Sequence, residues 1–358
     1  MAAHFHKLTV QDIRQETPDC VSIAFTIPEA IASEFKFSHG QNITLKTIIN
    51  GEEIRRTYSI CSAPFENELR IAIKKAESGL FSTHINNHLK TGDILEALPP
   101  TGKFNTALHK NNKKNYIAFA AGSGITPIIS IIKTTLQTEP LSSFTLIYGN
   151  QSRSSIIFFE TLQGLKNKYL DRFHLLNILS REQTEAPINS GRINTEKLTE
   201  LKQVIDYKGF DEFFICGPSQ MIFSIKDFLE KEKIDTGKIH FELFAVPGQK
   251  QQQFIRPINH ESKTQQSNVT IKADGRSLNL KIPFNNINIL DAALQHGADL
   301  PFACKSGMCC SCKAKLIEGK VVMDVAYGLS PEEIKQGFIL CCQSHPLTDK
   351  IVIDFDSR

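Results

Sequence analysis

Six of the nine cysteines of this 358-residue chain fall between residues 304 and 342, and no other feature limits so sharply what the chain can fold into. Four of them, Cys304, Cys309, Cys312 and Cys342, stand in the order C-x4-C-x2-C-x29-C. The first residues, Met1 to Lys7, lack the long apolar core of a secretory signal. That predicts a cytoplasmic location, where thiols stay reduced and a crowd of cysteines reads as a metal site rather than as disulfides. Three thiolates from one tight loop and a fourth from a distant segment suit a two-iron, two-sulfur cluster. Gly307 fits such a loop, because a residue with no side chain lets backbone N–H groups approach the sulfurs. A four-cysteine zinc site is the alternative. Those sites usually pair two short hooks, whereas here the fourth position is the adjacent pair Cys341 and Cys342. Cys20, Cys61 and Cys216 are scattered elsewhere.

The rest of the chain divides by its hydrophobic rhythm. Residues 1–105 read as β-rich: Leu69, Ile71 and Ile73 alternate with Arg70 and Ala72, the period of a half-buried strand. Similar runs cover Val21–Ile27, Ile43–Ile49 and Arg56–Ile60, punctuated by glycine and proline. This predicts a small antiparallel β-barrel with one helix after Gly79. On that helix Phe81, Ile85 and Leu89 share a face and Ser82 caps the start. Residues 106–245 change to strands alternating with helices, the strands at Tyr116–Ala120, Phe144–Tyr148, Phe173–Leu179, Phe213–Cys216 and Ile239–Phe244. Such alternation predicts an α/β domain on a parallel sheet. Residues 246–267 are polar and Gln-rich, with little to bury, and read as a linker. In residues 268–358, Val269, Ile271 and Ala273 alternate up to Asp274-Gly275, and Leu278, Leu280 and Ile282 alternate back, a β-hairpin signal. Ile289–His296 reads as a helix stopped by Gly297. The net charge of +3 is too mild to point to nucleic acid or a membrane surface. The most apolar stretch, Tyr116–Leu136, is broken by Gly122, Gly124, Pro127 and Lys133 and reads as a turn and a buried helix, not a membrane span.

Leu300-Pro-Phe-Ala-Cys304-Lys-Ser-Gly307-Met-Cys309-Cys-Ser-Cys312 resembles the cluster loop of plant-type ferredoxins, and Leu340-Cys341-Cys342-Gln-Ser-His-Pro346 resembles their fourth-ligand segment. The likeness covers essentially all of 268–358. It implies a β-grasp-like α+β domain in which Cys304, Cys309, Cys312 and Cys342 hold a [2Fe–2S] cluster, with Cys310 and Cys341 as neighbours that are not ligands. Arg56-Thr57-Tyr58-Ser59-Ile-Cys-Ser62 matches R-x-Y-S-x-x-S and resembles the flavin motif of the ferredoxin–NADP reductase family. Arg56 can hold a diphosphate, Tyr58 offers a flat ring to an isoalloxazine, and Ser59 can hydrogen-bond near the flavin nitrogen where hydride arrives. Read alone, the segment is an ordinary half-buried strand. Gly79-Leu-Phe81-Ser82-Thr83 resembles the family's second flavin element, a helix start that suits a phosphate; in isolation it means a capped helix.

Four further segments carry the resemblance. Gly122-Ser123-Gly124-Ile-Thr126-Pro127 follows a predicted strand, opens a predicted helix and resembles the nicotinamide-nucleotide loop. Cys216-Gly217-Pro218 resembles the C-G-P motif, whose cysteine lies near the reacting nicotinamide carbon; a lone cysteine is otherwise a small buried hydrophobe. Ser180-Arg181-Glu182-Gln183 resembles the segment that holds the ribose 2′-phosphate in NADPH-using members, with Arg153 as a second cation. That favours NADPH over NADH, although two solvated surface arginines would look the same. His240-Phe-Glu242-Leu-Phe244 resembles the end of the reductase module, where an aromatic often lies against the flavin; Phe244 either does this or packs in the core.

The order flavin barrel, nucleotide domain, ferredoxin is similar to reductase components of multicomponent oxygenases. Gly191-Arg192-Ile193 after Ser180-Arg181-Glu182 supports a kinship with those of the phenylacetyl-CoA epoxidase type. The resemblance implies an NAD(P)H-dependent enzyme with Ser59 and Cys216 at the reacting centre. FAD would take two electrons from NADPH and release them singly to a [2Fe–2S] cluster, which takes only one. The implied acceptor is an oxygenase component containing a diiron site. A general reductase serving another oxygenase or a desaturase is the alternative within enzymes. A non-catalytic redox sensor or zinc scaffold is the alternative outside them, and the intact flavin and C-G-P motifs argue against it.

Overall fold

The computed structural model describes residues 4–244, 266–284 and 287–357. The first unit has six antiparallel strands: β1 (His6–Thr17), β2 (Cys20–Thr26), β3 (Asn42–Ile49), β4 (Glu52–Ser59), β5 (Leu69–Lys74) and β6 (Ile94–Ala97), in the order β4-β3-β6-β1-β2-β5. A bridge between Ile60 and Ile71 brings the end of β4 back to β5 and closes the barrel. The alternation in β5 does what it predicts, sending Leu69, Ile71 and Ile73 into a core with Leu8, Ile23, Ile43 and Leu45. The other face of β5 is buried too. Ala72 joins Cys20 and Cys61 in an apolar cluster with Ala118, Ile128 and Tyr148 of the next unit. Arg70, 5% exposed, is held there by Asp12, Glu68 and Ser22.

Helix α1 (Leu80–His88) has Gly79 as its N-cap, with no side chain capping it. Ser82 therefore does not cap the start. It lies inside the first turn, where its hydroxyl donates to Gly79 O at 3.2 Å and accepts from Ala76 N–H at 3.0 Å, tying down the preceding turn. Phe81 and Ile85 are buried on the expected face, and Leu89 is the first residue past the helix.

The second unit alternates as its sequence does: β7 (Asn115–Ala121), α2 (Ile125–Thr138), β8 (Ser143–Asn150), α3 (Phe159–Lys168), β9 (Phe173–Leu179), α4 (Thr195–Leu201), β10 (Glu212–Gly217), α5 (Ser219–Lys231) and β11 (Ile239–Leu243). The strands are all parallel, in the order β11-β10-β7-β8-β9. The apolar stretch 116–136 is β7, a tight turn and α2. The helix is buried along most of its length because it is covered by the barrel as well as the sheet, and Ser130 Oγ donates to Ser62 O at 2.6 Å. Among the described residues no helix is long and apolar enough to cross a membrane.

The third unit contains β12 (Gln266–Ala273), β13 (Arg276–Pro283), α6 (Ile289–Gln295), β14 (Lys313–Glu318), β15 (Val321–Met323), α7 (Pro331–Lys335), β16 (Phe338–Leu340), β17 (Ser344–Pro346) and β18 (Lys350–Asp354). Its main sheet runs β13-β12-β18-β14-β16, with β12 and β18 parallel and the other pairs antiparallel, and β15 pairs with β17. Asp274 and Gly275 both have positive φ, 52° and 71°, as a two-residue type I′ hairpin turn requires. Gln266 and Ser267, read as the end of the linker, already belong to β12. The remainder of that polar segment lies outside the described residues.

The third unit is seated on both others. The Arg55 guanidinium lies between the rings of Phe5 and Phe302, at 4.8 and 4.1 Å from their centroids, and donates to Leu300 O at 3.4 Å. Lys103 reaches Glu333 at 2.7 Å. Burial pushes the Glu333 carboxyl up, but Lys103, the Ser330 N–H and Lys313 outweigh it and hold it at about 2. Met308 packs against the core of the second unit, and Phe223 of α5 meets Tyr327 with ring centroids 6.3 Å apart.

Helix α2 is thus the buried element common to the barrel and the sheet. Ile132→Ala, a truncation at a fully buried position, should cost about 2–5 kcal/mol, read as a lowered denaturant midpoint with an unchanged slope.

Candidate functional site

The cysteine loop runs between α6 and β14. Lys305 and Cys310 adopt left-handed backbone, with φ of 51° and 57°, and Gly307 has φ of 76°. A Cβ on Gly307 would come within 2.7 Å of Val325 Cγ2. The loop is therefore wound so tightly that its amides point inward. Cys309 N–H and Ser306 N–H reach Cys304 Sγ at 3.4 and 3.3 Å, and Cys304 N–H reaches Cys309 Sγ at 3.4 Å. Gly307 N–H reaches the Cys342 sulfur. The four sulfurs form two pairs, Cys304 with Cys309 and Cys312 with Cys342, each close enough to share a hydrogen bond. The thiols of Cys304 and Cys342 are pulled down, each by accepting from its partner. Two thiol pairs ringed by N–H donors fit a two-iron cluster held by four cysteines. Cys310 and Cys341 point elsewhere. Cys310 Sγ donates to Gly328 O at 2.6 Å, and burial pushes its thiol up to about 12. Cys341 is fully buried in the core of the unit.

The flavin motif lies on β4. Tyr58 is half-buried, its ring 5.7 Å from that of Phe81; Phe81 itself belongs to the barrel core. Arg56 is half-buried, and Nη1 donates to Arg55 O. Thr57 Oγ1 lies 3.1 Å from Thr44 Oγ1. Ser62 is buried and accepts from Arg70 N–H through its hydroxyl, so that hydroxyl is engaged within the barrel. Ser59 Oγ donates to Glu242 Oε2 at 2.8 Å, and Asn42 Nδ2 faces Glu242 Oε1 at 3.5 Å. Glu242 is directly in register with Cys216 on the adjacent strand. The end of β4 and the tips of β10 and β11 thus meet at one buried carboxyl. Burial pushes Glu242 up to about 7 despite its hydrogen bonds. Burial likewise pushes the Cys216 thiol well up, so it is a neutral S–H. The half-exposed Tyr58 ring and the Arg56 cation fit a flavin ring and diphosphate, while the Ser59 proton is held by Glu242. In the sequence Glu242 stands only as a member of a terminal motif. Its role depends on a contact with a residue 183 positions away, which no local pattern announces.

The carboxyl ends of the parallel strands open into a cavity of about 680 Å³, where an open α/β sheet is expected to bind its ligand. Gly122 and Ser123 line it, as do Ser180 and Arg181, Gly217 and Pro218. Phe244, just past β11, lines it too and also packs against the apolar cluster around α2. Gly124 is pressed beneath: a Cβ there would fall 2.1 Å from Cys216 O, so the glycine loop and the C-G-P strand can only meet this closely without a side chain. Thr126 and Pro127 are buried in the first turn of α2, and Thr126 Oγ1 donates to Ser123 O at 3.0 Å. Gly79, Ser82 and Thr83 lie at the start of α1. Arg153 is not among the cavity residues; its guanidinium lies over the Phe159 ring at 4.8 Å. Lys74 also lines the cavity, and so does Arg192. Its signal in the sequence is the Gly191-Arg192-Ile193 segment, which carries no mark of a phosphate contact by itself.

Three family models match the chain: an oxidoreductase FAD-binding domain over residues 7–106, an oxidoreductase NAD-binding domain over 119–227 and a 2Fe-2S iron-sulfur cluster binding domain over 271–347. The chain is 42% identical to a component of the 1,2-phenylacetyl-CoA epoxidase of Escherichia coli (strain K12), over 99% of this chain and 98% of that one. It is 32% identical to the ferredoxin reductase component of 3-ketosteroid-9-alpha-monooxygenase of Rhodococcus rhodochrous, over 97% and 96%. Phthalate dioxygenase reductase shares its fold, with a TM-score of 0.59 at 24% identity over 98% of both chains.

Two outcomes test the geometry. Cys342→Ser should lose or strongly disturb bound iron, whereas Cys341→Ser should retain it, measured by iron content and electron spin resonance. The folded-state carboxyl of Glu242 lies above its ordinary 4.5, so its contribution to stability is complete below that value and lost as pH rises through about 7. Glu242→Gln stays neutral. Melting temperatures should therefore fall between about pH 4.5 and 7 in the parent relative to this variant, and a parallel course would contradict the assignment.

Proposed function

The chain belongs to the family of oxygenase reductase components that join FAD, nicotinamide-nucleotide and [2Fe–2S] domains, and on that premise we propose that it carries electrons from NADPH to a diiron oxygenase of the phenylacetyl-CoA epoxidase type. It is an oxidoreductase that delivers electrons to an oxygenase component, as its relatives do. The observation that supports this electron path is the meeting of β4 with the tips of β10 and β11 at Glu242, together with the contact of Ser311 in the cysteine loop with Thr44 of β3. The identity of 42% to the epoxidase component supports the choice of acceptor.

Bound FAD takes up the two electrons of a hydride together, and a bound [2Fe–2S] cluster passes them on singly. Around these groups the chain supplies binding, orientation and shielding. We assign the flavin to Arg56, Thr57, Tyr58, Ser59 and the α1 start at Gly79–Thr83, with Ser62, Phe81 and Ser82 shaping the barrel beneath. The Gly122–Gly124 turn and Gly217-Pro218 receive the nicotinamide nucleotide. Ser59 and Glu242 hold a hydrogen-bonded proton at the junction, and the neutral Cys216 packs beside it. Cys304, Cys309, Cys312 and Cys342 hold the cluster. The corresponding division is 1–105, 106–245, a linker at 246–267 and 268–358.

Arg181 and Arg192 together favour a 2′-phosphate, since forked guanidinium donors match phosphate oxygens. Reconstitution with the purified epoxidase component tests the whole reading: NADPH consumption should couple to oxygenated CoA-ester product. Arg181→Ala should weaken NADPH binding about 10- to 100-fold and leave NADH nearly unchanged, measured as Kd on the two nucleotides. Equal losses would show that Arg181 does not read the phosphate.

A further inference from the structure

Three hydroxyls stand in a row between the flavin strand and the cysteine loop. Thr57 Oγ1 lies 3.1 Å from Thr44 Oγ1, its directly opposed partner on β3. Thr44 Oγ1 lies 3.2 Å from Ser311 Oγ across the boundary between units. Ser311 itself stands in the cysteine loop, two residues past Cys309 and next to Cys312. Thr44 is 2% exposed and Ser311 8%, so neither hydroxyl can turn to bulk water for its partner. Burying such a group is unfavourable unless it is bonded. A valine on β3 would fill the same space and favour the strand at least as well. A threonine here makes sense only if the hydroxyl itself is used.

Each hydroxyl has one proton, so Thr44 donates to one of its two neighbours and accepts from the other, and both bonds of the bridge pass through its single oxygen.

We propose that Thr44 is a positioning residue for electron transfer: its hydroxyl fastens the cluster loop to the flavin strand. This rests on the assignment of Cys309 as a cluster ligand and of Thr57 to the flavin strand. The step it serves moves one electron from reduced flavin to oxidised cluster. No bond in the bridge forms or breaks, and its protons stay on their oxygens.

The test uses the full-length protein with both cofactors. Thr44→Val removes only the hydroxyl, Thr44→Ser keeps it, and Ser311→Ala removes the far side of the bridge. One hydrogen bond changes an equilibrium by up to about tenfold. Amide hydrogen exchange across residues 308–312 should therefore be about tenfold faster in Thr44→Val, and single-turnover reduction of the cluster by flavin should slow. NADPH-driven ferricyanide reduction, which draws on flavin, should be unchanged. Thr44→Ser should restore parental exchange and transfer. The Thr44→Val/Ser311→Ala double variant should be no worse than Thr44→Val, since both cut one chain. Parental exchange and transfer in Thr44→Val would overturn the proposal, as would independent, multiplying losses in the double variant. If Thr44→Val does not fold, Ser311→Ala decides the matter by the same two readouts. A parent protein that carried no iron would instead sink the cluster assignment on which the proposal stands.

Discussion

A part-buried hydrogen bond from Ser59 to Glu242 joins the barrel to the parallel sheet at the point where their apolar cores give way to the reacting centre. A carboxyl so placed cannot remain charged without cost, and burial keeps it half-neutral near pH 7. The two units cannot slide without leaving that group unpaired. Because the pairing is made at the tips of β10 and β11, the nucleotide cavity, the C-G-P strand and the end of the flavin motif are fixed relative to one another. Strand β4 then divides its work by the two-residue period of a strand. Ser59, Thr57 and Arg55 share one face and address the other two units in turn. Arg56 and Tyr58 share the opposite face.

The seating of the third unit is of a different kind. Besides Met308 and the Phe223–Tyr327 contact, it includes a guanidinium between two rings, an ion pair at Glu333, the approach of His4 to Asp274 and the hydroxyl bridge. Polar, specific contacts of this sort fix orientation more than they add affinity. A unit that must receive electrons on one side and hand them on elsewhere is served by such a seat. The barrel and sheet, by contrast, share a continuous apolar cluster through Ala72, Cys61 and α2 and behave as one body.

The parts of this arrangement that could be read from sequence are those whose chemistry forces a local pattern. Four thiolates around two irons impose the C-x4-C-x2-C spacing, and Gly307 is required by the left-handed turn that brings an amide to Cys342. The β5 alternation and the Asp274-Gly275 turn are equally local. What could not be read arises from contacts between distant segments. Glu242 matters because Ser59 lies opposite it. Arg192 lines the cavity because the chain between Ser180 and Asn194 folds back over it. Ser82 misled because its hydroxyl is a good cap in isolation, yet here Ala76 claims it. The strands β15, β16 and β17 have three residues each, too few for any periodicity to register.

The position of β18 has a consequence for how the protein is made. It follows every other strand of its sheet in chain order, yet it lies in the middle, between β12 and β14, and brings Ile351, Ile353 and Phe355 to the core that backs Cys312 and Cys342. Domains fold as units as they emerge from the ribosome, the earlier ones first. The barrel and nucleotide sheet can close while the rest is still being translated, but the cysteine loop has no floor until the last of its strands is threaded in. The nascent chain is thus a competent flavoprotein before it can be an iron–sulfur protein, and delivery of iron and sulfide has to wait for β18 to be in place.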